Sequence, residues 1–110
     1  MPKDATLPTV TGRAVFITHR TKPGLRDEVQ LVWQRHLQPA IQANPGHVDY
    51  HYCFDATDPD LIRVFRLYAD AGAAAAFLTT AAYAAYLSDV EPLLLGPPEV
   101  AIAGQVWTKN

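Results

Sequence analysis

Apolar side chains follow two different periods along the chain, one typical of strands and one typical of helices. In the first apolar segment, Val15, Ile17 and His19 share one face, and a turn signal at residues 21–24 follows. The segments with this alternation are rich in β-branched and aromatic residues. The predicted strands span residues 13–20, 48–54, 61–68 and 99–108.

The two longer stretches between these strands show helical spacing. Residues 25–43 carry one apolar stripe, and Pro39 inside it predicts a kink or a division into two pieces. The alanine-rich stretch that begins after Asp70 extends to about residue 94, with a break predicted near Thr79 and Thr80. Asp70 is a plausible N-cap because its carboxylate can accept a hydrogen bond from the first turn.

The order strand, helix, strand, strand, helix, strand is that of an α+β protein with the ferredoxin-like split βαβ topology. We therefore expect a four-stranded antiparallel sheet with helices on one face. Residues 13–110 are expected to form this single domain, and residues 1–12 a flexible N-terminal arm.

The face of the sheet away from the helices also has to be shielded from water, and the sequence predicts no further helix or sheet that could pack on it. A second copy of the chain, packed sheet against sheet, would supply that cover, so we expect a homodimer. The residues predicted to point toward the twin subunit are Phe16, Thr18, His51, Cys53, Phe65 and Leu67.

The composition of the chain excludes several classes of function. With 110 residues, 49% hydrophobic side chains and a net charge of -2, the chain can form a core and has no basic excess for nucleic acid. The single cysteine, Cys53, excludes an internal disulfide and a zinc site built on several thiolates. No metal-ligand spacing and no membrane-spanning or signal segment is visible, so a cytoplasmic protein without membrane contact is expected.

Short motifs, weak alone, become informative through their order. They include Lys22-Pro23-Gly24 after the first strand, Asn44-Pro45-Gly46 before Val48-Asp49-Tyr50, Asp58-Pro59 in the hairpin, and Phe77-Leu78 followed by Tyr83 and Tyr86-Leu87. Together they make residues 13–107 resemble the antibiotic biosynthesis monooxygenase family, in the dimeric α+β barrel group.

This resemblance implies a dimer with a pocket in each protomer between sheet and helices. It also implies oxidation of quinols, phenols or anthrone-like aromatic compounds by molecular oxygen, with no metal or flavin cofactor. The chain departs from the family in having Tyr68 where many members have Trp, and Phe77 where many have His. The positions that match the haem-degrading branch are His19, Phe77 and Leu87, which keep none of its three residues, so haem degradation is not expected.

Two residues are candidates for catalysis. His19 ends the first strand on the helix-facing side, where a neutral imidazole with a pKa near 6.5 could remove a phenolic proton. The alternative is a hydrogen-bonded or hydrated histidine at the rim. Arg66 shares a face with Val64 and Tyr68 and could stabilise a substrate oxyanion, or it could form an ion pair with a carboxylate such as Asp49 or Asp70.

Aromatic side chains on the same face are candidates for substrate binding. The set comprises Tyr50, Tyr52, Tyr68, Trp33, Phe77 and Tyr83. Tyr50, Tyr52 and Tyr68 could equally be core residues, because tyrosines on half-buried strands usually are. Trp33, Phe77 and Tyr83 are expected first as core residues, with the apolar wall of the pocket as the alternative. His36 and His47 are expected at solvated positions, and His51 and Cys53 lack a third group that would make them a nucleophilic pair.

Two functions from different classes fit these observations. One is a cofactor-independent monooxygenase that oxidises a small aromatic substrate, with His19 as base and Arg66 or a tyrosine at the oxyanion. The other is a non-catalytic dimeric protein that binds a small ligand or serves as an accessory factor. Oxygen consumption with a quinol or anthrone separates the two.

Overall fold

The computed structural model describes residues 12–109, and the predicted arm at residues 1–12 lies outside that range except for Gly12. Four antiparallel strands form one sheet, and five helical segments connect them. The strands are β1 (Arg13–Arg20), β2 (His47–Phe54), β3 (Leu61–Tyr68) and β4 (Glu99–Gly104). The helices are α1 (Arg26–His36), α2 (Gln38–Ala43), α3 (Ala71–Phe77) and α4 (Ala81–Val90), followed by a 3₁₀ turn at Glu91–Leu93.

The order of strands in the sheet is β2-β3-β1-β4, which confirms the α+β, ferredoxin-like topology. Ile17 of β1 stands opposite Val64 of β3 on one side and Val100 of β4 on the other. This register places Val15, Ile17 and His19 in a row on the helix-facing side, as the alternation predicted. The sheet is open, with β2 and β4 as its edges.

Helix ends follow local chemistry. The first helical stretch divides at Leu37, and Pro39 lies in the first turn of α2, where a backbone N–H has no helical partner. Asp70 accepts a hydrogen bond of 2.7 Å from the backbone N–H of Ala73, and Thr80 accepts one of 3.2 Å from that of Tyr83. Both predicted features of the alanine-rich stretch, its cap and its break, are therefore confirmed.

The core lies between the sheet and the helices. Its most deeply buried members include Val29 and Leu37 from the first helical stretch, Ile62 and Tyr68 from β3, and Val90 from α4. No residue of β4 is buried, and Val100 and Ile102 on its helix-facing side are 53% and 62% exposed. The helices thus leave one margin of the sheet open. None of the helices in the described range is long and apolar enough to cross a bilayer.

Two strand predictions are wrong in detail. The last strand ends at Gly104, not Thr108, because its partner β1 begins at Arg13, which pairs with Gly104. In β2 a register shift between His47 and Asp49 displaces Val48, which is 61% exposed and does not share the phase of Tyr50. A bulge of this kind adds one residue to a strand and changes its facing.

On the opposite face of the sheet, the aromatic rings of Phe16 and the half-buried Phe65 lie with their centroids 5.2 Å apart. Phe16 is 48% exposed, whereas Leu67 is buried. Residues 105–108 pass along this face, beside Ala14 and Leu67. The face is thus apolar and only partly covered by the described chain.

Candidate functional site

A cleft runs between the helix-facing side of β1 and β4 and the helices α3 and α4. The cleft has two lobes, and four residues line both of them. These are Ile17 of β1, Arg66 of β3, Val100 of β4 and Tyr83 of α4. The cleft is open along β4, because the helices leave every residue of that strand exposed.

The first lobe, called the His19 lobe, has a volume of about 350 Å³. It is lined beyond the shared residues by His19, Tyr86, Leu87, Val90, Glu91, Leu94, Gly96, Pro97 and Pro98. The rim at residues 96–98 is held close to His19, because the preceding Leu95 donates a backbone hydrogen bond of 2.9 Å to Arg20.

The second lobe, called the Tyr68 lobe, has a volume of about 290 Å³. Its further lining residues are Arg13, Val15, Tyr68, Ala71, Ala74, Ala75, Leu78 and Ile102. The small alanine side chains of α3 make room for this lobe. Most of its wall is apolar.

His19 is buried, with 7% of its surface exposed, and lines the cleft at the end of β1. Burial, aided by the positive charge of Arg66, lowers the pKa of His19 to about 4. The imidazole is therefore neutral at pH 7, and its pKa is well below the 6.5 expected from the sequence. Its Nδ1 has no hydrogen-bond partner within residues 12–109.

Arg66 lies at the junction of the two lobes and is 5% exposed. Its guanidinium donates a long hydrogen bond of 3.5 Å to the hydroxyl of Tyr68, and its central carbon lies 5.6 Å from the ring centroid of Tyr50. Burial by itself lowers the pKa of Arg66, but the adjacent Tyr50 and Tyr68 raise it overall, so the group stays charged.

No carboxylate of the described chain forms an ion pair with Arg66, contrary to the alternative expected from the sequence. Nε of Arg66 has no hydrogen-bond partner in the same part of the chain. A buried cation that lacks a counter-ion favours the entry of an anion. Burial raises the pKa of both Tyr68 and Tyr86, so their hydroxyls remain protonated and can donate to such an anion.

Among the predicted binding residues, Tyr68 and Tyr83 line the cleft. Trp33, Tyr50 and Tyr52 form a separate cluster under α1, in which the indole N–H of Trp33 donates a 3.0 Å hydrogen bond to the Tyr50 hydroxyl. Tyr52 stacks on Trp33 with a centroid distance of 4.3 Å. This cluster lies beside the cleft, and Tyr50 connects it to Arg66.

Phe77 is buried and does not line the cleft; it packs edge-on against His47, with 4.5 Å between ring centroids. His47 also packs on Tyr68, so the prediction that His47 is solvated is wrong. Burial and the charge of Arg66 lower the pKa of His47 to about 4. The reason is the bulge at Val48, which turns His47 toward the helices.

Sequence reasoning missed several lining residues. Tyr86 lies one helical turn after Tyr83, and that spacing could have placed it on the same face. Gly96-Pro97-Pro98 gave only a signal for the end of a helix, although it forms the rim. Across the described range no three potential metal ligands converge.

The comparisons with known proteins agree with this fold. The family model "Antibiotic biosynthesis monooxygenase" matches residues 13–88. The chain belongs to this family. No functionally curated protein matches the sequence.

Solved structures of similar shape carry related names. One from Nitrosomonas europaea, named "Putative antibiotic biosynthesis monooxygenase", superposes with a TM-score of 0.84 at 17% identity, covering 94% of this chain and 98% of that one. A protein of the same provisional name from Caulobacter crescentus gives a TM-score of 0.82 at 21% identity, with 88% and 92% covered. A third, from Chloroflexus aurantiacus, gives 0.79 at 19% identity, with 91% and 98% covered. At these sequence identities, the similarity shows a shared fold and nothing beyond it.

Proposed function

We propose that this member of the antibiotic biosynthesis monooxygenase family oxidises a small aromatic quinol, phenol or anthrone-like compound with molecular oxygen. The observation that carries the proposal is a buried, unpaired Arg66 beside a neutral His19 in an apolar cleft. We further propose that the protein acts as a homodimer, with the apolar face around Phe16 as the interface.

The chemistry divides into a proton step and an oxygen step. His19 accepts a proton from an acidic C–H or O–H of the substrate, and Arg66 stabilises the resulting enolate or phenolate. For an anthrone-like CH₂ group, the anion transfers electrons to dioxygen, and the second oxygen atom leaves as water. The balance is R₂CH₂ + O₂ → R₂C=O + H₂O, with the substrate as the sole reductant.

The low pKa of His19 fits this sequence of steps. Burial, and after it the charge of Arg66, disfavours the imidazolium, so the base is free at neutral pH. Once the substrate anion forms, its negative charge lies beside the guanidinium of Arg66 and the newly protonated His19. This negative charge raises the affinity of His19 for the proton. Tyr68 and Tyr86, which remain protonated, would donate hydrogen bonds to the same oxyanion.

The direct test is dioxygen uptake by the purified protein with a panel of quinols and anthrones. Wild-type protein should consume oxygen above the buffer rate, and His19→Ala should lower kcat/KM by about 100-fold or more, the usual contribution of a general base. His36→Gln is the matched control, because His36 pairs with Asp89 outside the cleft and should leave the rate unchanged.

Absence of uptake across the panel would overturn the monooxygenase proposal and favour the non-catalytic ligand-binding alternative. An unchanged rate in a folded His19→Ala variant would remove His19 from the proton step.

A further inference from the structure

The buried guanidinium of Arg66 is held only weakly by direct polar contacts. The hydrogen bond that it donates to the hydroxyl of Tyr68 is long, at 3.5 Å, and within residues 12–109 its Nε has no partner. An arginine side chain has several rotatable bonds, so contacts this weak do not fix the charge in one place. Another group has to hold the guanidinium at the cleft.

A tyrosine ring from the neighbouring strand lies against this guanidinium. Tyr50 of β2 stands directly opposite Arg66 of β3 in the register of the sheet. The central carbon of the guanidinium lies 5.6 Å from the centroid of the Tyr50 ring, within the range in which a cation is attracted to an aromatic face. Burial lowers the pKa of the guanidinium, while Tyr50, together with Tyr68, raises it. Tyr50 therefore restricts Arg66 from the side of β2.

The Tyr50 ring is in turn fixed by the first helix. Trp33 of α1 donates its indole N–H to the Tyr50 hydroxyl at 3.0 Å, and the two ring centroids lie 5.8 Å apart. Trp33 itself stacks on Tyr52, with 4.3 Å between ring centroids. The Tyr50 ring is thus anchored at both ends, by the backbone of β2 and by the hydrogen bond from α1, so it cannot swing away from Arg66.

From these contacts we infer that Trp33 and Tyr50 are positioning residues: the indole N–H of Trp33 fixes the Tyr50 ring, and that ring holds the guanidinium of Arg66 at the cleft. Neither Trp33 nor Tyr50 lines the cleft, so both act through Arg66 and not on a ligand. The role of Arg66 toward a substrate anion rests on the proposed function, but the positioning is a property of the folded protein and needs no turnover.

Ligand binding separates this role from a merely structural one, because a charged ligand can be compared with a neutral ligand of similar shape. The probes are benzoate and its neutral analogue benzyl alcohol, each titrated at pH 7 and followed by NMR chemical shifts. Wild-type protein should bind benzoate at least about 10-fold more tightly, because the charge of Arg66 acts in a region of low dielectric constant. Arg66→Met should remove this preference, and its absence in the wild type would overturn the inference.

Two variants test the contacts themselves. Trp33→Phe removes the indole N–H and keeps an aromatic ring beside Tyr52, whereas Tyr50→Phe removes the hydroxyl that accepts the hydrogen bond. Each should reduce the preference for benzoate to about 3-fold or less and leave the Kd of benzyl alcohol within about 2-fold of wild type. The double variant should lose no more than either single variant, because both break the same hydrogen bond.

Trp107→Phe is the matched control, because Trp107 is the other tryptophan of the chain, is 78% exposed and lies on the opposite side of the sheet. It should keep the wild-type preference. A loosened core would weaken the binding of both ligands alike, so loss of both affinities together, or an unchanged preference in folded Trp33→Phe and Tyr50→Phe, would overturn the inference.

If neither variant folds, the wild-type protein still decides the matter. The indole N–H signal of Trp33 should shift when benzoate binds, although Trp33 does not line the cleft, and the signal of Trp107 should not. A Trp33 signal that stays unmoved at saturation would contradict the coupling to Arg66.

These titrations are separate from the oxygen assay. A preference for benzoate that is lost in both variants, with no oxygen uptake by the wild type, would uphold the positioning role and overturn the monooxygenase proposal. Oxygen uptake together with an unchanged preference would do the reverse.

Discussion

A guanidinium that is buried without a carboxylate partner imposes its charge on every titratable group nearby. Arg66 does this to two histidines, because its charge adds to burial in lowering the pKa of both His19 and His47 to about 4. The same charge would favour a substrate anion. Arg66 thus helps burial to keep His19 deprotonated, and it would also bind the anion that proton transfer to His19 creates.

These two histidines predict how stability changes with pH. Their pKa is about 6.5 in the unfolded chain and about 4 in the folded protein, so the unfolded state binds more protons between these values. The free energy of unfolding should therefore be constant above about pH 7 and fall as the pH drops from about 6.5 to 4. Urea denaturation across this range measures it.

The variants His19→Gln and His47→Gln should each make that pH dependence shallower, whatever their effect on stability at pH 7. The partly exposed Asp55 and Asp58, whose pKa values are lowered by hydrogen bonds from the backbone and from arginines, contribute only below about pH 4. A stability that is flat between pH 7 and 4.5 in wild type would contradict the placement of the histidines.

At the residue scale, sequence alone predicted which side chains face the helices in β1 and β3, because a strand alternates strictly. That rule placed His19 and Arg66 on the side where the structure has its cleft. It could not predict that Arg66 lacks a carboxylate, since Asp49 points to the opposite face and Asp70 caps a helix. It also missed His47, whose facing depends on a bulge set by the pairing with β3.

At the scale of the elements, the division of the alanine-rich stretch into α3 and α4 shapes the cleft. Thr80 makes the division through its hydroxyl, which donates to the carbonyl of Phe77 at 2.8 Å and accepts from the N–H of Tyr83 at 3.2 Å. Because Tyr83 lies at the junction of the two lobes, the cap that begins α4 also positions a lining residue.

The adjacent threonines allow a matched test of this cap. Thr80→Ala should lower the free energy of unfolding by about 1 kcal/mol, the usual cost of losing an N-cap. Thr79→Ala should cost less, because the Thr79 hydroxyl only donates to the carbonyl of Ala76 and caps no helix. Equal losses in urea denaturation would show that Thr80 has no special role.

The sequence predicted the helix boundaries, which depend on nearby residues. It did not predict the end of β4, which depends on pairing with another strand. Pro39, Asp70 and Thr80 act within one turn of their own position, so the sequence indicated each boundary. The end of β4 depends on where β1 begins, which is a distant part of the chain. The pattern of residues 99–108 therefore predicted four residues of strand too many.

At the scale of the whole molecule, the apolar face with Phe16 and Phe65 predicts association. Light scattering after size exclusion should give about twice the 12.1 kDa of one chain. Phe16→Asp should shift the protein toward a monomer, because a carboxylate in a dry interface is costly. Wild-type protein that is monomeric at micromolar concentration would contradict the dimer.

The central claim is that the cleft ionises a weakly acidic aromatic compound through His19 and Arg66. Anthrone under strict exclusion of oxygen isolates this step, because its anion is coloured and the neutral form is not. At pH 7 the wild-type protein should develop the absorption band of the anion in proportion to occupied sites, and folded His19→Gln and Arg66→Met variants should lack it. Bound anthrone that stays neutral in the wild-type protein would contradict the account.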